Sequence, residues 1–450
     1  MDQFYKNLLF VFLISAFLIG CNTKGHQNER RITVGISDDS LMNLVQYQTF
    51  LYFWDGAEPV SGMGRERYHE DNLYPRNDKH IVTTGGSGFG LMAILVGIER
   101  RFITREQGYH RLRQIVNWLE KADRFHGAWP HWLNGQTGRV SPFSAKDNGG
   151  DLVETAFLIQ GLLTVRQYFR DGNASEIKLA EDIDRIWKEV EWDWYRKNNE
   201  NVLYWHWSPE YQWDMDLAIR GYNECLITYV LAASSPTHGI PAEVYHEGWA
   251  NSGNIVSDKK AYGYPLGLNH NHSVEYGGPL FWAHYSYLGL DPRKLKDRYA
   301  SYWQLNTSHT LIQYEYCKAN PKKFKGYGPD CWGLTSSYSM RGYASHKPEK
   351  RDLGVISPTA ALSSFPYTPT QSMDFLRNIY SDFGDSLRGE FGPYDAFSVH
   401  HQWYLPRYLA IDQGPIPVMI ENYRSGLLWD LFMSCPEVQV GLDKLGFSYE

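Results

Sequence analysis

Apolar and polar positions follow one another along this chain in two helical modes. Residues 105–122 carry Tyr109, Leu112, Ile115, Val116 and Leu119 at helical spacing with charges between them, behind a Thr104…Gln107 capping pair. Residues 176–194 repeat the pattern with Ile177, Ala180, Ile183, Trp187, Val190 and Trp194, preceded by Ser175. Both stretches predict surface helices with a single apolar stripe. Residues 88–98 and 152–165 are instead apolar almost all round, which predicts helices enclosed on every side. Residues 218–233 predict another inner helix, and 242–252 and 292–304 predict outer ones. Strands do not alternate with helices as a parallel sheet requires, which argues against a doubly wound sheet or a β/α barrel. An inner ring of helices inside an outer ring predicts an all-α chain, an α/α toroid.

Long turn-rich tracts interrupt this pattern at 55–86, 126–150, 256–275, 318–356 and 386–416. Loops of this length in a compact domain usually carry function. In a toroid they would wall the wide end of the central cavity. No break in composition divides the chain after its start, so residues 38–450 are expected to form one catalytic domain. The start differs: residues 8–20 are a short apolar run behind Lys6, ending at Gly20-Cys21. A brief hydrophobic core with a small residue at the cut predicts a lipoprotein signal over residues 1–20. Cys21 would then be acylated, fixing the protein to a membrane of the cell envelope, with residues 21–37 as a polar tether.

Composition narrows the function. Across 450 residues, 43% hydrophobic content supplies a substantial core. A net charge of −7 and a pI near 6.2 give no clustered cations to neutralise a phosphate backbone, so nucleic acid is an unsuitable partner. A mean hydropathy of −0.47, with no later run of about eighteen apolar residues, excludes a multi-spanning membrane protein. Cys225, Cys317, Cys331 and Cys435 lie far apart, without the close spacing of a zinc site or redox pair.

The candidate chemistry is acidic and aromatic. Asp147, Asp151 and Glu154 recur at spacings of four and three at the entrance to the 152–165 helix, which points them to one side of its first turn. Asp151 also fits a plain helix cap. Glu224 falls within the 218–233 helix among Tyr222, Cys225, Leu226 and Ile227, with Arg220 one turn away. A carboxyl in such surroundings is desolvated, which raises its pKa towards that of a general acid. Asp395 and Asp412 stand in turns where capping also explains them, and either could face the first cluster across a ring. Trp129, Trp132, Trp205, Trp213 and Trp282 are flanked by Gly, Pro, His or aromatic residues. Indoles of this kind suit the C–H faces of a pyranose, while Arg65, His272 and Asp395 offer partners for its hydroxyls. The glycine-rich stretch 85–90 lacks the Lys-Ser/Thr ending of a phosphate cradle; its glycines would instead let a helix begin close to a cavity or ligand. His270-x-His272 and His400-His401 lack metal-ligand spacing, so no metal is expected. No Gly-x-Ser-x-Gly elbow of a serine hydrolase is evident.

Several segments together resemble the glycoamylase-like proteins of glycoside hydrolase family 144: YFWDGAEPVSGMGRER (52–67), TTGGSGFG (83–90), GDLVETAFLIQGLL (150–163), GYNECLITYVLA (221–232), GLTSS (333–337), YDAFS (394–398) and DQGPIPVMIENYRSGLLW (412–429). The likeness implies an (α/α)6 toroid, no metal or other cofactor, and inverting hydrolysis of β-1,2-linked glucan. The family's functional acids fall on Asp147, Asp151, Glu154 and Glu224, with a C-terminal acid matched to Asp412 or, alternatively, Asp395. Glu224 is expected as the acid; Asp147 and Asp151, then Asp412, are the candidate bases, and Glu154 a tuning or sugar-binding partner. A glucoamylase acting on α-glucan, a non-catalytic glycan-binding lipoprotein and a polysaccharide lyase are the competing readings.

Overall fold

The computed structural model describes residues 35–449, apart from Pro75 and Asp382. The expected signal, Cys21 and nearly all of the tether lie outside the described residues. Residues 37–450 group as one compact unit.

Helices dominate. Helix α1 (Asp38–Trp54) is followed by α2 (Thr84–Glu99), α3 (Arg105–Leu119), α4 (Leu152–Phe169), α5 (Ala174–Lys188), α6 (Leu226–Ser234) and α7 (Tyr302–Ala319). The C-terminal helices are α8 (Pro358–Leu362), α9 (Pro369–Ser381), α10 (Ala410–Gln413), α11 (Pro415–Arg424), α12 (Leu427–Met433) and α13 (Pro436–Leu445). Short strands join the loops in pairs: β1 (Arg67–His69), β2 (Ile81–Thr83), β3 (Trp132–Asn134), β4 (Val140–Ser141), β5 (Gly150–Asp151), β6 (His206–Trp207) and β7 (Arg407–Leu409). The sheet β2-β3-β4 and the antiparallel pairs β1·β7 and β5·β6 bring residues distant in sequence to one end of the helices.

Helices α2 and α4 are buried along nearly their whole length, as all-round apolar sequence requires. Their backbones nearly touch. A Cβ on Gly161 would stand 2.2 Å from the Gly88 carbonyl oxygen, and one on Gly88 would stand 2.3 Å from the Phe157 carbonyl oxygen. Any larger residue at this crossing would force the helices apart. Helix α3 has the predicted Thr104/Gln107 capping box and buries Leu112, Ile115, Val116 and Leu119.

Other elements depart from the sequence reading. Helix α5 is capped by Asn173, not Ser175, and stops at Lys188, leaving Ile177 on the surface and Trp194 in a separate 3-10 turn. The expected 218–233 helix begins only at Leu226, because Gly221 takes a left-handed φ of +77° and Asn223 Oδ1 accepts the Cys225 N–H in a turn. Residues 244–249 form a π-helical turn, and the region 292–304 is mostly loop until α7 begins. The four described cysteines are buried free thiols.

Candidate active site

The N-terminal ends of α2, α4 and α6 meet at a cavity of about 520 Å³. Its wall is aromatic at Trp132, Phe143, Phe157, Trp205, Phe281, Tyr285, Tyr338 and Tyr343, and acidic at Glu66, Asp78, Glu154 and Glu224. Arg67, Arg76, Arg407 and His131 add positive charge.

Asp151 caps α4: its Oδ1 accepts the N–H groups of Val153 at 3.0 Å and Glu154 at 2.9 Å. Its Oδ2 accepts from His131 Nδ1 at 2.9 Å and from the Trp205 indole at 3.1 Å. One carboxylate thus aims a helix, an imidazole and a cavity-lining indole. Glu154 follows one turn into α4. Its Oε2 accepts the Gly85 N–H at 2.8 Å, and its Oε1 lies 3.9 Å from His131 Nε2. A Cβ on Gly85 would stand 2.6 Å from that Oε2, so the glycine is what lets the carboxylate reach the backbone. Burial opposes a charge on His131, but Glu154, Asp151 and Asp147 outweigh it and hold the imidazole pKa up at about 10. His131 is therefore an imidazolium at neutral pH. His131, Asp147 and Asp151 place potential ligand atoms within 4.8 Å of one another, but a charged imidazolium has no lone pair for a cation.

Glu224 lies on the cavity wall just before α6, its main-chain carbonyl accepting the Ser286 hydroxyl. Burial, and then repulsion from Glu154 and Asp151, raises its pKa to about 7. Such a group is protonated half the time at neutral pH, as a proton donor needs to be. Arg220 does not pair with it; that guanidinium turns to the carbonyls of Glu247 and Gly248.

Behind Tyr285 lies a second acidic group. Asp412, on α10, accepts the Tyr285 hydroxyl at 3.3 Å, while Asp395 accepts the Tyr338 N–H at 2.7 Å. The two buried carboxyls perturb each other's titration, and Asp395 Oδ1 and Asp412 Oδ2 have no hydrogen-bond donor among the described residues. Burial raises Asp395 to about 6 and Asp412 well above the usual carboxylate range.

A protein of this architecture has known relatives. An endo-β-1,2-glucanase from Chitinophaga pinensis, solved with sophorotriose and glucose, is 67% identical over 92% of this chain and 99% of its own, with a TM-score of 0.91. The chain belongs to the glycoamylase-like family. The family model described as "Putative glucoamylase" matches residues 216–436. An exo-β-1,2-glucooligosaccharide sophorohydrolase (non-reducing end) from Parabacteroides distasonis is 48% identical over 429 residues, 92% of this chain. The chain spans 58% of that relative's length.

Within this glycoamylase-like site the predicted residues separate into groups. Glu154, Glu224, Trp132 and Trp205 line the cavity, and Asp151 braces two of its walls. Asp147 stands beside His206, 3.4 Å from Nε2, but that nitrogen already accepts the Gly149 N–H. Its Oδ1 therefore has no hydrogen-bond donor, and burial followed by repulsion from Asp151 lifts its pKa to about 7. Five expected sugar contacts do not line the cavity. Trp129 is a core residue whose indole donates to the Leu119 carbonyl at 3.2 Å. Trp282 is buried against Gly278 and His270, and its neighbour Phe281 reaches the cavity instead. Arg65 is buried and holds loop carbonyls, including that of Gly56 at 3.1 Å. His272 lies with Arg220 and Asn271 in a separate surface depression. Trp213 likewise lines an outer depression with Glu210 and Asp214. His131 and Tyr285 were missed; the available signal was a polar ring next to Trp132 for the first and three residues after Trp282 for the second.

Proposed function

We propose that this chain is an inverting glycoside hydrolase acting on β-1,2-glucan or its oligosaccharides. The observation that carries the reading is Glu224: a carboxyl with a pKa near 7 on the wall of a cavity lined by Trp132, Trp205, Phe281 and Tyr285. Aromatic faces hold a sugar ring, and a neutral carboxyl beside it can protonate a departing glycosidic oxygen. The likeness to a 67% identical endo-β-1,2-glucanase supports the linkage. Inner helices α2, α4 and α6 and outer helices α3 and α5 suit an (α/α)6 toroid with the site at its loop-bearing end.

Glu224 is the general acid. Asp412, beside Asp395, is the base: burial raises both carboxyls, and whatever negative charge the pair retains can take a proton from water. Tyr285 stands between this pair and the cavity and feels the charges of Asp412, Glu154 and Glu224. An inverting pair needs carboxyls roughly 6.5–9.5 Å apart to admit that water. Asp151 is less suited to the task, since both its oxygens are engaged in aiming α4, His131 and Trp205. Burial raises the Glu154 pKa and His131 opposes that rise, while negative charge on Glu154 raises Glu224.

Incubation with β-1,2-glucan and with starch in parallel tests the reading. Reducing ends are expected only from β-1,2-glucan, with NMR showing the inverted anomer first. Release from starch alone, or none from either, refutes it. The apolar run before Cys21 supports a lipid anchor on the cell envelope. A Cys21→Ala variant should move from the detergent phase to the aqueous phase; unchanged partitioning refutes the anchor.

A further inference from the structure

Outside the cavity, three indoles gather where a folded chain would ordinarily hide them. Trp194 is 40% exposed although His126 covers one of its faces, with ring centroids 3.7 Å apart and planes 13° from parallel. Trp213 inclines to it at 31° and 6.4 Å, and Trp207 meets it edge-on at 5.9 Å. A ring braced on one face and open on the other is a platform, and exposed apolar surface of this kind marks a binding surface.

The backbone around the rings is held in conformations that L-residues avoid. His126, Lys197, Gln212 and Asp216 all take positive φ, between 41° and 49°. Such strain persists only where surrounding structure enforces it, and it concentrates at functional sites. The rim is polar and already tied down: Lys146 pairs with Asp214 at 3.3 Å, Lys197 pairs with Asp216, and the Asn148 amide donates to Glu210 at 2.9 Å. The last contact fastens this loop to the segment that carries Asp147 and Asp151.

The platform is also continuous with the cavity. Trp205 lines the cavity, and Trp207, two residues on, belongs to the outer group.

We infer that Trp194, with Trp207 and Trp213, forms an outer glucan-binding platform that holds a stretch of polymer beyond the residues in the cavity. This rests on the hydrolase reading above and extends it to the length of substrate engaged. Stacked indoles and fixed amide and carboxylate partners suit a neutral sugar chain, whose C–H faces lie on the rings. The paired charges at the rim leave no net cationic surface for an anionic polymer.

Trp194→Ala tests the platform without touching the cavity. KM for long β-1,2-glucan should rise about three- to tenfold, as expected for one aromatic contact, while turnover of sophorotriose-sized substrates stays unchanged. Trp194→Phe should recover most of the loss. In Glu224→Gln protein saturated with short oligosaccharide, polymer should still retard migration in an affinity gel. That measurement does not depend on how Trp194→Ala folds. An unchanged polymer KM in Trp194→Ala, or complete loss of polymer retardation once the cavity is filled, overturns the platform while leaving the hydrolase reading intact. A wild-type protein that releases no reducing ends from β-1,2-glucan overturns both.

Discussion

Replacing Glu154 by Gln should move the alkaline limb of the pH–activity profile down. Glu224 rises from the ordinary glutamate value of 4.5 to about 7, with burial the largest cause and the Glu154 charge next. At pH 7 an ordinary glutamic acid would be protonated in about one molecule in 300, so the rise multiplies the acid-competent fraction by about 150. Burial takes the larger part, which leaves Glu154 about 0.5–1 pH unit, or about 1 kcal/mol. Gln is isosteric and its side-chain oxygen can still accept the Gly85 N–H, so the walls stay in place. The assay is kcat/KM for reducing-sugar release from β-1,2-glucan from about pH 4 to about pH 9, which brackets the expected limb. The limb should sit near pH 7 in the wild type, drop by about 0.5–1 unit in Glu154→Gln, and vanish with about 10²–10⁴-fold lower turnover in Glu224→Gln. A limb that stays put in Glu154→Gln, or near-normal turnover in Glu224→Gln, refutes the charge coupling or the acid assignment respectively.

Three further outcomes follow from the same coordinates. A raised carboxyl stabilises the fold least at high pH: its contribution is intact below the unfolded value and is lost as pH rises through the folded one. Glu224→Gln should therefore be more stable than wild type at pH 8 by about 1–3 kcal/mol and similar at pH 4, as urea unfolding would show; a variant less stable at pH 8 contradicts the desolvation. Gly161→Ala should lower stability by about 1–3 kcal/mol, because its Cβ would stand 2.2 Å from the Gly88 carbonyl, and an unchanged melting temperature would mean the crossing is slack. Burial lowers His309 to about 4, so the unfolded chain takes up the proton first as pH falls below 6.5. The cost of His309→Gln at pH 7.5 should shrink by about 1.4 kcal/mol per pH unit below 6.5 in denaturant titrations, and a constant cost would rule this out.

Much of the helical frame was legible because burial on every side leaves an unmistakable mark: α2 and α4 are apolar all round, and α3 carries both its stripe and its cap. Helix α7 was not legible. It buries Asn306, His309, Thr310 and Gln313, of which His309 and Gln313 reach the Gly278 carbonyl in a distant loop and Thr310 the helix's own Asn306 carbonyl, so its inward face does not look apolar. Residues 218–225 failed in the opposite way, since Tyr222, Cys225 and Leu226 mimic helical spacing while Gly221 breaks the backbone. At the site, Asp147, Asp151 and Glu154 drew notice by spacing and Glu224 by its apolar neighbours, but the tryptophans could not be sorted. Trp129 and Trp132 share one short loop, yet one faces the core and the other the cavity. That difference is decided by the β2-β3-β4 pairing, which no local window contains. His131 escaped notice because its importance comes from three carboxylates converging on it from α4 and the loop before it.

Where Gly88 meets Gly161, two missing side chains govern the aim of the chemistry some turns away. Thr83 and Gly85 open one of these helices, Asp151 and Glu154 the other, so the angle between the rods fixes how the carboxylates stand relative to their donors. An attempt to transplant the acids onto another scaffold would have to carry this contact along with them. Conversely, small bulk added there would act like a set-screw, turning the acidic cluster without altering any residue that meets the sugar.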